Sequence, residues 1–405
     1  MLKSAISEVL ESQQERNSHL GRGIERDIAG QISLKGSHIN IISGIRRCGK
    51  STLLRQLFPK DEPFLFLNFE DPKLSGFALD DFNKLDEIIK EKRVKKIYFD
   101  EIQVIPEWER YIRALHDEKY QVFITGSNAS MLSRELGTKL TGRHLIREIF
   151  PFSYKEFLTF TGGKASTASS RDYFNKGGFP EYLKDTDQEI LHQILYDIIY
   201  RDIAVRQQVR RHETLKQMLL YIISNISKVL SYNQLKNTFE LGSATTVIDY
   251  LSYFQDSYLL FTIPRFDYSL KKQIFNPRKI YSIDTGLANA NSLSFSKDEG
   301  RILENAVFLH YRRKGAQVFY YTNRYECDFI IKEEGVINHC LQVCSSLKSD
   351  NLTRETNGII EAMEYCGVKK GLIVTTDQED ELKVKEHIIN VIPYWKLAIS
   401  DKETT

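Results

Sequence analysis

The sequence predicts an α/β protein in which a doubly wound parallel sheet is followed by a helical region and then by a second α/β domain. Two observations indicate the first sheet: β-branched, apolar runs such as HINIISG and KKIYFDE, and segments of helical spacing such as DDFNKLDEIIKE between them. A third observation separates the later regions, because the pattern is helical through residue 260 and alternates between strands and helices again from about residue 300.

Five segments follow from this pattern and from a length of 405 residues, which is too long for one compact domain. A stretch rich in Gly, Ser and Thr, TFTGGKASTASS, separates the first α/β domain from the helical region. In that region helix, helix, turn, helix and two β-rich stretches follow one another, which is the plan of a winged helix-turn-helix. The predicted segments are a helical lead-in at 1–30, the first α/β domain at 31–160, a helical linker at 161–212, the winged helix at 213–290 and the last α/β domain at 291–405.

Bulk composition excludes some classes of protein and leaves others open. The net charge of +2 is close to neutral, so a nucleic-acid partner must be held by a local basic patch. The five cysteines are scattered without a CxxC pair, which predicts reduced thiols rather than a zinc site. The first residues lack the apolar core of a signal peptide, and no run of about 18 apolar residues occurs. We therefore expect a soluble, cytoplasmic protein with no membrane partner.

Between the strand HINIISG and the helix STLLRQLF lies the motif GIRRCGKS, which matches the phosphate-binding pattern GxxxxGK[ST]. Its glycines allow the backbone to wrap a β-phosphate, Lys50 reaches the β- and γ-phosphates, and the Ser51 hydroxyl ligates Mg²⁺. The motif therefore predicts an ATP site with Mg²⁺ as cofactor, in which Arg46 and Arg47 contact either phosphate or a partner. The expected nucleotide-binding residues are Gly44, Ile45, Arg46, Arg47, Cys48, Gly49, Lys50, Ser51 and Thr52.

Two later strands end in residues suited to ATP hydrolysis. KKIYFDE ends in Asp100 and Glu101; Asp100 is predicted to lie beside Mg²⁺, and Glu101 to be the base that polarises the attacking water. The next strand ends in TGSN, whose Ser127 or Asn128 either orients that water or forms a turn. Arg143 is a candidate for the charge that stabilises the transition state, in its own or a neighbouring subunit; a surface salt bridge is the alternative.

With these motifs in place, the chain resembles a large prokaryotic family of AAA+-related ATPases, in which an ATPase domain precedes a C-terminal domain with a restriction-endonuclease-like core. The resemblance spans almost the whole chain and is carried by GIRRCGKSTLLRQL, IYFDEIQVIPEWERYIRALHD, ITGSNASMLSRELGTKLTGR, FPFSYKEFL, GGFPEYL, YRDI, IDTGLAN, LENAVF and ECDFII. It implies that Asp100 assists Mg²⁺ and that Glu101 is catalytic. It also implies a sensor at Asn128 with Ser127 and an arginine finger at Arg143. AAA+ relatives further suggest a homo-oligomer such as a hexamer.

The same resemblance implies a nuclease-like fold at the C-terminus. Nucleases of that fold use a helix acid, a strand Asp and then Glu-or-Gln-x-Lys, and their carboxylates hold Mg²⁺. Glu304 and Asp328 stand at the first two places, but the third place reads Gln342-Val343-Cys344. Because a thiol cannot supply the positive charge of a lysine, we expect a degenerate site at Glu304, Asp328 and Gln342. We expect it to lack nuclease activity and to serve DNA or partner binding.

Two basic stretches are candidates for DNA contact, with solvated surface as the equal alternative. The helix segment ATTVIDYLSYFQDS contains no Lys or Arg, so base reading from it is not expected. The stretch that follows it mixes basic and aromatic residues, and an earlier stretch places several arginines near one predicted helical face. The candidate DNA-binding residues are Arg206, Arg210, Arg211, Lys271, Lys272, Arg278 and Lys279.

Together these features predict an ATPase that couples ATP binding and hydrolysis to the engagement or remodelling of DNA through its C-terminal half. A nucleotide-dependent switch acting on a protein partner is the first alternative, and it predicts no salt-dependent DNA binding. An ATP-driven, Mg²⁺-dependent nuclease is the second alternative, to which Cys344 is the main objection. A small-molecule kinase is a weaker alternative, since it would not need the helical and nuclease-like halves.

Overall fold

The computed structural model describes residues 1–33, 36, 38–127, 142–294 and 298–400. Contacts between Cα atoms divide the chain into two compact units, Met1–Phe150 and Pro151–Thr405. Within the described ranges, no helix combines the length and the apolar character needed to cross a membrane.

A five-stranded parallel sheet organises the N-terminal unit, as the alternation of strand and helix patterns predicted. Its strands are β1 (Ile39–Gly44), β2 (Phe64–Asn68), β3 (Lys96–Asp100), β4 (Gln121–Gly126) and β5 (His144–Ile149). They lie in the order β2-β3-β4-β1-β5, and all four neighbouring pairs are parallel. The carboxyl ends of all five strands therefore meet at one edge, where the loops after β1, β3 and β4 come together.

Within the described part of the N-terminal unit, four helices accompany this sheet, and each turns an apolar face toward the core. In the helix Asp81–Lys92, Phe82, Leu85, Ile88 and Ile89 recur at helical spacing and are buried. The helices are Lys3–His19, Lys50–Gln56, Asp81–Lys92 and Trp108–Asp117, with 3₁₀ turns at Ala29–Gln31, Pro72–Leu74 and Ile102–Val104. The first helix belongs to the same apolar core as the sheet, to which it contributes Ile6, Val9 and Leu10.

The C-terminal unit begins with a group of helices. Ser153 starts the first of them with a capping box, in which its hydroxyl accepts from the Glu156 N–H and the Glu156 carboxylate accepts from the Ser153 N–H. The helices are Tyr154–Thr161, Thr167–Lys176, Pro180–Asp185, Glu189–Asp197, His212–Ile223, Tyr232–Thr238, Ala244–Asp256, Leu270–Phe275, Thr285–Asn291, Glu299–Arg313, Leu352–Cys366 and Tyr394–Ile399, with a π-helix at Ile198–Ala204.

A small antiparallel sheet lies in the predicted winged-helix segment. It consists of β6 (Val229–Leu230), β7 (Leu260–Pro264) and β8 (Arg278–Ser282), in the order β6-β8-β7. The two β-rich stretches predicted from the sequence are β7 and β8, and the chain between them contains the short helix Leu270–Phe275.

A six-stranded mixed sheet forms the last part of the chain. Its strands are β9 (Gln317–Thr322), β10 (Glu326–Glu333), β11 (Val336–Val343), β12 (Lys370–Thr375), β13 (Asp380–Val384) and β14 (His387–Pro393). They lie in the order β13-β14-β12-β11-β10-β9. The helix Leu352–Cys366 packs closely on β10 at Gly358, which has no Cβ. A Cβ there would lie 2.1 Å from the Glu326 carbonyl oxygen. This close approach fixes the position of Glu355 on the same helix.

Two of the sequence motifs, GGFPEYL and IDTGLAN, meet inside the C-terminal unit. Asp284, which is buried, accepts hydrogen bonds from the Leu287 N–H at 2.8 Å and from the Gly178 N–H at 2.7 Å. A Cβ at Gly286 would lie 2.0 Å from the Lys176 carbonyl oxygen. These residues therefore join two helices that are more than 100 residues apart in sequence, which is a structural reason for the motifs.

Candidate functional site

The phosphate-binding motif forms a tight loop between β1 and the helix Lys50–Gln56. Gly44 ends β1 where the chain runs against β5, and a Cβ there would lie 2.1 Å from the Ile149 carbonyl oxygen. Gly49 has φ 101° and Arg47 has φ 63°, so the loop turns through the left-handed region twice. Such a turn directs successive backbone N–H groups inward, which is the geometry that surrounds a phosphate.

Lys50 lies at the first position of that helix and is only 5% exposed. Its Nζ donates to the Ile45 carbonyl oxygen at 3.2 Å and lies 3.5 Å from Glu101 Oε1. Burial lowers the pKa of Lys50, but the charges of Glu101, Cys48 and Asp100 more than offset burial, so the pKa lies above its usual value. Lys50 is therefore a buried, protonated ammonium.

Asp100 ends β3 and is the most buried acid of the cluster, at 1% exposure. The Thr125 hydroxyl donates to Asp100 Oδ1 at 2.5 Å, and the Ser51 hydroxyl also donates to this carboxylate. Burial, with a contribution from the charge of Glu101, raises the pKa of Asp100 to about 6. The two residues expected to lie beside Mg²⁺, Ser51 and Asp100, are thus hydrogen-bonded to each other.

Glu101 follows directly, with the unusual positive φ of 52° for a residue other than glycine. Its backbone N–H donates to the Thr125 hydroxyl oxygen at 2.9 Å, and its carboxylate accepts from the Gln103 side-chain amide. Thr125 thus holds both members of the Asp-Glu pair. Sequence reasoning chose Ser127 and Asn128 on this segment and missed Thr125, although a Thr at the tip of an apolar strand was visible in ITGSN.

Arg26 is a second residue that sequence reasoning missed. Its guanidinium donates to the Cys48 carbonyl oxygen at 2.9 Å and to the Phe150 carbonyl oxygen at 2.6 Å. The side chain is buried, and its Nη1 would lie 3.1 Å from a Cβ built at Gly49. Arg26 therefore fixes the backbone of the phosphate-binding loop from behind.

The remaining predicted hydrolysis residues fall at different places. Ser127 is buried just after β4, on the same edge as Asp100, and Asn128 lies outside the described residues. Arg143 lies just before β5, where its carbonyl oxygen accepts from the Ile39 N–H and its guanidinium pairs with Asp117 at 2.7 Å. Since β5 runs parallel to β1, Arg143 lies at the opposite edge of the sheet, about 16 Å of strand away from the loop.

The predicted DNA-contact residues are only partly placed on the surface. Lys271 and Lys272 are exposed on the short helix, and Arg278 is half-buried. Lys279 was wrongly predicted to contact DNA: it is 2% exposed, because its strand β8 directs it into an acidic cluster. Exposed arginines do occur at 206, 210 and 211, but the prediction of one helical face was wrong, since this stretch lies between the π-helix and the helix beginning at His212.

That acidic cluster contains the expected degenerate nuclease-like residues. Lys279 Nζ lies 2.8 Å from Glu304 Oε1, 2.9 Å from Asp328 Oδ1 and 3.0 Å from Glu326 Oε1. Gln342 donates to Glu355 Oε2 at 2.7 Å and accepts from the Asp328 N–H at 3.2 Å. A cavity of about 470 Å³ opens over these groups, with arginines at 301, 324 and 354 also lining it. The structure therefore brings the three predicted residues together and adds Lys279 to them.

Two family models match parts of the chain, and the first of them agrees with the geometry of the N-terminal unit. Residues 36–158 match a family model described as an AAA domain, and residues 167–298 match a domain of unknown function, DUF8612. Among solved structures, AMPPCP-bound DnaA from Aquifex aeolicus covers 56% of this chain and 85% of that chain, at 15% identity and a TM-score of 0.27, which is too low to show a shared fold.

Two curated relatives match over nearly their whole length. The Methanocaldococcus jannaschii protein MJ1544 is 36% identical over 410 residues, covering 93% of this chain and 91% of the relative. A Haemophilus influenzae protein is 31% identical over 390 residues, covering 89% of this chain and 94% of the relative. The chain therefore belongs to the protein family of MJ1544, and its N-terminal part carries an AAA domain of the nucleotide-binding ATPase type.

Proposed function

We propose that this protein is a Mg²⁺-dependent ATPase that couples ATP binding and hydrolysis to the engagement of DNA by its C-terminal unit. One observation carries the enzymatic part: Lys50, Ser51, Asp100 and Glu101 converge at the carboxyl edge of one parallel sheet. Phosphoryl transfer to water requires a phosphate-binding loop and two acids held in fixed positions. Both are present at that edge, where Thr125 holds the acids.

The residues present fit both ATP and Mg²⁺. The loop accepts no Cβ at Gly44, and Lys50 has a buried ammonium at the loop's base, so the backbone and one cation can surround phosphate oxygens. Ser51 and Asp100 are oxygen donors in mutual contact, which is the ligand chemistry that Mg²⁺ prefers. When bound, Mg²⁺ neutralises negative charge on the phosphates.

Each residue then has a distinct task. Lys50 binds phosphate oxygens, for which it exchanges its 3.5 Å pairing with Glu101. Released from that pairing, the Glu101 carboxylate accepts the proton of the attacking water. Thr125 holds Asp100 and the Glu101 backbone in register, so the acids keep their positions during the exchange. Ser127, which is buried just after β4, is the candidate for orienting the water.

Arg143 is proposed to act on the ATP of a neighbouring subunit in a homo-oligomer. Its place at the opposite edge of the sheet supports this role, because its side chain cannot reach the phosphate-binding loop of its own chain. Mixing Arg143→Ala with Glu101→Gln tests the idea. If the arginine acts between subunits, the mixture regains turnover that neither variant has alone; if it acts within one chain, the mixture stays inactive.

Engagement of DNA is proposed for the segment from His212 to β8. Three helices followed by a two-stranded unit support a winged-helix arrangement, and exposed Lys271 and Lys272 supply phosphate contacts. The helix Ala244–Asp256 has no basic residue, so the expected binding is to the DNA backbone rather than to base edges. Lys271→Glu with Lys272→Glu should weaken DNA binding and flatten its salt dependence.

A switch acting on a protein partner is the second candidate, and one observation favours it. The short helix next to those lysines exposes three apolar side chains: Leu270 at 72%, Ile274 at 66% and Phe275 at 78%. Apolar side chains grouped on a surface are typical of protein interfaces rather than of phosphate contacts. Changing these three to Ser, with both lysines retained, should leave DNA binding intact if DNA is the partner.

The deciding experiment measures ATP turnover with and without single- and double-stranded DNA at low and physiological salt. DNA-stimulated turnover that declines with salt supports the DNA-engaging ATPase. If ATP turnover is the same with and without every DNA tested, the switch acting on a protein partner is the better proposal. Turnover at background for the pure protein, with Mg²⁺ present, contradicts the enzymatic part itself.

A further inference from the structure

The acidic cavity of the C-terminal unit contains a cation supplied by the chain itself. Three carboxyl oxygens, from Glu304, Glu326 and Asp328, surround the Lys279 ammonium at 2.8 to 3.0 Å. Its Nζ donates hydrogen bonds to Glu326 Oε1 and Asp328 Oδ1 and forms an ion pair with Glu304 Oε1. The lysine comes from β8, outside the six-stranded sheet that supplies Glu326 and Asp328.

We propose that Lys279 is the resident cation of this cavity and takes the place of a divalent metal ion, so that the cavity does not bind Mg²⁺ or Mn²⁺. The site is thereby a structural centre held together by an ammonium and not a nuclease centre. This assignment does not depend on whether the N-terminal unit hydrolyses ATP.

The other hydrogen bonds of the carboxylates support the assignment. Asp328 Oδ2 accepts from the Val343 N–H at 2.9 Å, and Glu304 Oε1 also accepts from the Tyr281 hydroxyl at 2.7 Å. Glu355 accepts from the Gln342 side-chain amide at 2.7 Å. A Mg²⁺ ion needs oxygen lone pairs at about 2.0–2.1 Å that are not already bound to protons. Among the described residues, no group of three acids, histidines or cysteines is arranged to hold a metal ion.

The backbone holds Lys279 in this place. It lies in the middle strand of the three-stranded sheet, opposite Val229 on one side and Ile263 on the other. Burial lowers the pKa of Lys279, but the neighbouring carboxylates, with Asp328 first, raise it well above its usual value. The ammonium therefore keeps its charge, and a strand position gives it little freedom to leave.

The residue at the nuclease lysine position cannot take over the missing role. Cys344 is buried, and burial raises the pKa of its thiol to about 12. It is thus a neutral thiol at physiological pH, while Lys279 is fully engaged with three acids. A water molecule there would meet neither a free metal-ligand set nor a free lysine.

The test counts bound Mn²⁺ by electron paramagnetic resonance in the full chain without nucleotide. The variants are Lys279→Met, which removes the cation, Asp328→Asn, which removes one acid, and the double variant, which removes both. Since all forms share the same phosphate-binding loop, differences between them report on the cavity. The expected result is about one additional Mn²⁺ per chain in Lys279→Met, and none in the wild type or in the double variant.

Any one of three results obtained with folded protein overturns the proposal. One is a wild-type Mn²⁺ that disappears in Asp328→Asn. Another is metal-dependent DNA cleavage that the same change abolishes, and the third is a folded Lys279→Met that gains no Mn²⁺. If Lys279→Met folds only with Mn²⁺ or Mg²⁺ present, the proposal is supported. If it does not fold at all, the double variant decides. Removing one acid together with the lysine returns the net charge of the cavity to its wild-type value and should recover folding; equal failure of the double variant contradicts the proposal.

Discussion

Two buried lysines, Lys50 in the N-terminal unit and Lys279 in the C-terminal unit, sit beside carboxylates, yet their surroundings differ. Lys50 lies 3.5 Å from one carboxylate and bonds one backbone carbonyl, whereas Lys279 lies within 3.0 Å of three carboxylates. Lys50 follows a glycine loop that can surround an anion, while Lys279 lies within a strand. The first lysine can exchange its partner for a phosphate, and the second cannot without leaving several acids uncompensated.

The site of Lys50 is therefore suited to binding an anion, whereas the site of Lys279 is permanently occupied by the lysine itself. A buried lysine that is only loosely paired can bind an anion favourably, because the anion replaces a long ion pair with shorter charge-assisted hydrogen bonds. A lysine surrounded by several acids stabilises the folded state instead, because all of these acids would lose their counter-charge if the lysine moved away. Which of the two a buried lysine is can be read from the number of acids around it and from the freedom of its backbone.

The largest expected difference is in ATP turnover. Glu101→Gln should lower turnover by at least about 100-fold with nucleotide affinity retained, because the amide cannot accept the water proton. Asp328→Asn, an equivalent change beside the other lysine, should leave turnover unchanged. Turnover and nucleotide binding measured side by side check both statements, and an equal loss in the two variants would remove the distinction between the sites.

The free energy of unfolding should depend more on the second site than on the first. Lys279→Met should lower the free energy of unfolding of the C-terminal unit by about 3–5 kcal/mol, because it leaves buried acids without a cation. Lys50→Met removes a cation with one partially exposed acid beside it, so its cost to the N-terminal unit should be clearly smaller. Urea unfolding of both variants makes the comparison. Similar losses for the two lysines would contradict it.

Thr125 is expected to position the two acids of the first site. Thr125→Val keeps the shape but removes the hydroxyl that bonds Asp100 and the Glu101 N–H, at an expected cost of about 1–3 kcal/mol. Because the two acids lose their common anchor, turnover should fall about 10-fold, with nucleotide affinity changed little. Thr125→Ser, which restores the hydroxyl, is the control; a Val variant as active as the Ser variant would show that Thr125 does not position the acids.

A dependence of stability on pH is also expected at the second site. Burial and then Asp328 raise the pKa of Glu304 to about 8, against the opposing effect of Lys279, while Tyr281 also faces the carboxyl. The folded chain therefore holds a proton on Glu304 between its ordinary pKa of 4.5 and about 8, where the unfolded chain does not. The contribution of Glu304 to stability thus falls as pH rises through that window. Unfolding of Glu304→Gln across the same pH range should show a flatter slope than the wild type, and an identical slope would contradict this.

Much of the first site was predictable because its residues follow local rules. The loop motif, the strand before it and the Asp-Glu pair at a strand end are all short patterns in the sequence. Thr125 and Arg26 were missed because their roles depend on which strands are neighbours and on a contact across more than 100 residues, from Arg26 to Phe150. Pattern and spacing do not contain that information.

The second site was only half predictable for the same reason. Glu304, Asp328 and Gln342 came from the resemblance, but Lys279 appeared to be one more basic residue of an exposed wing. One signal was present: RKIYSI is an apolar strand, and a lysine inside such a strand must either be exposed at an edge or meet acids. Only the neighbouring positions of β6, β7 and β8 decide between these outcomes.

The most direct measurement is the rate of ATP hydrolysis by purified wild type, Lys50→Ala and Glu101→Gln with Mg²⁺, together with nucleotide binding by each. We predict turnover for the wild type alone, nucleotide binding without turnover for Glu101→Gln, and neither for Lys50→Ala. Turnover by Glu101→Gln at the wild-type rate, or nucleotide affinity unchanged in Lys50→Ala, would contradict the assignment of this edge of the sheet as the ATPase site.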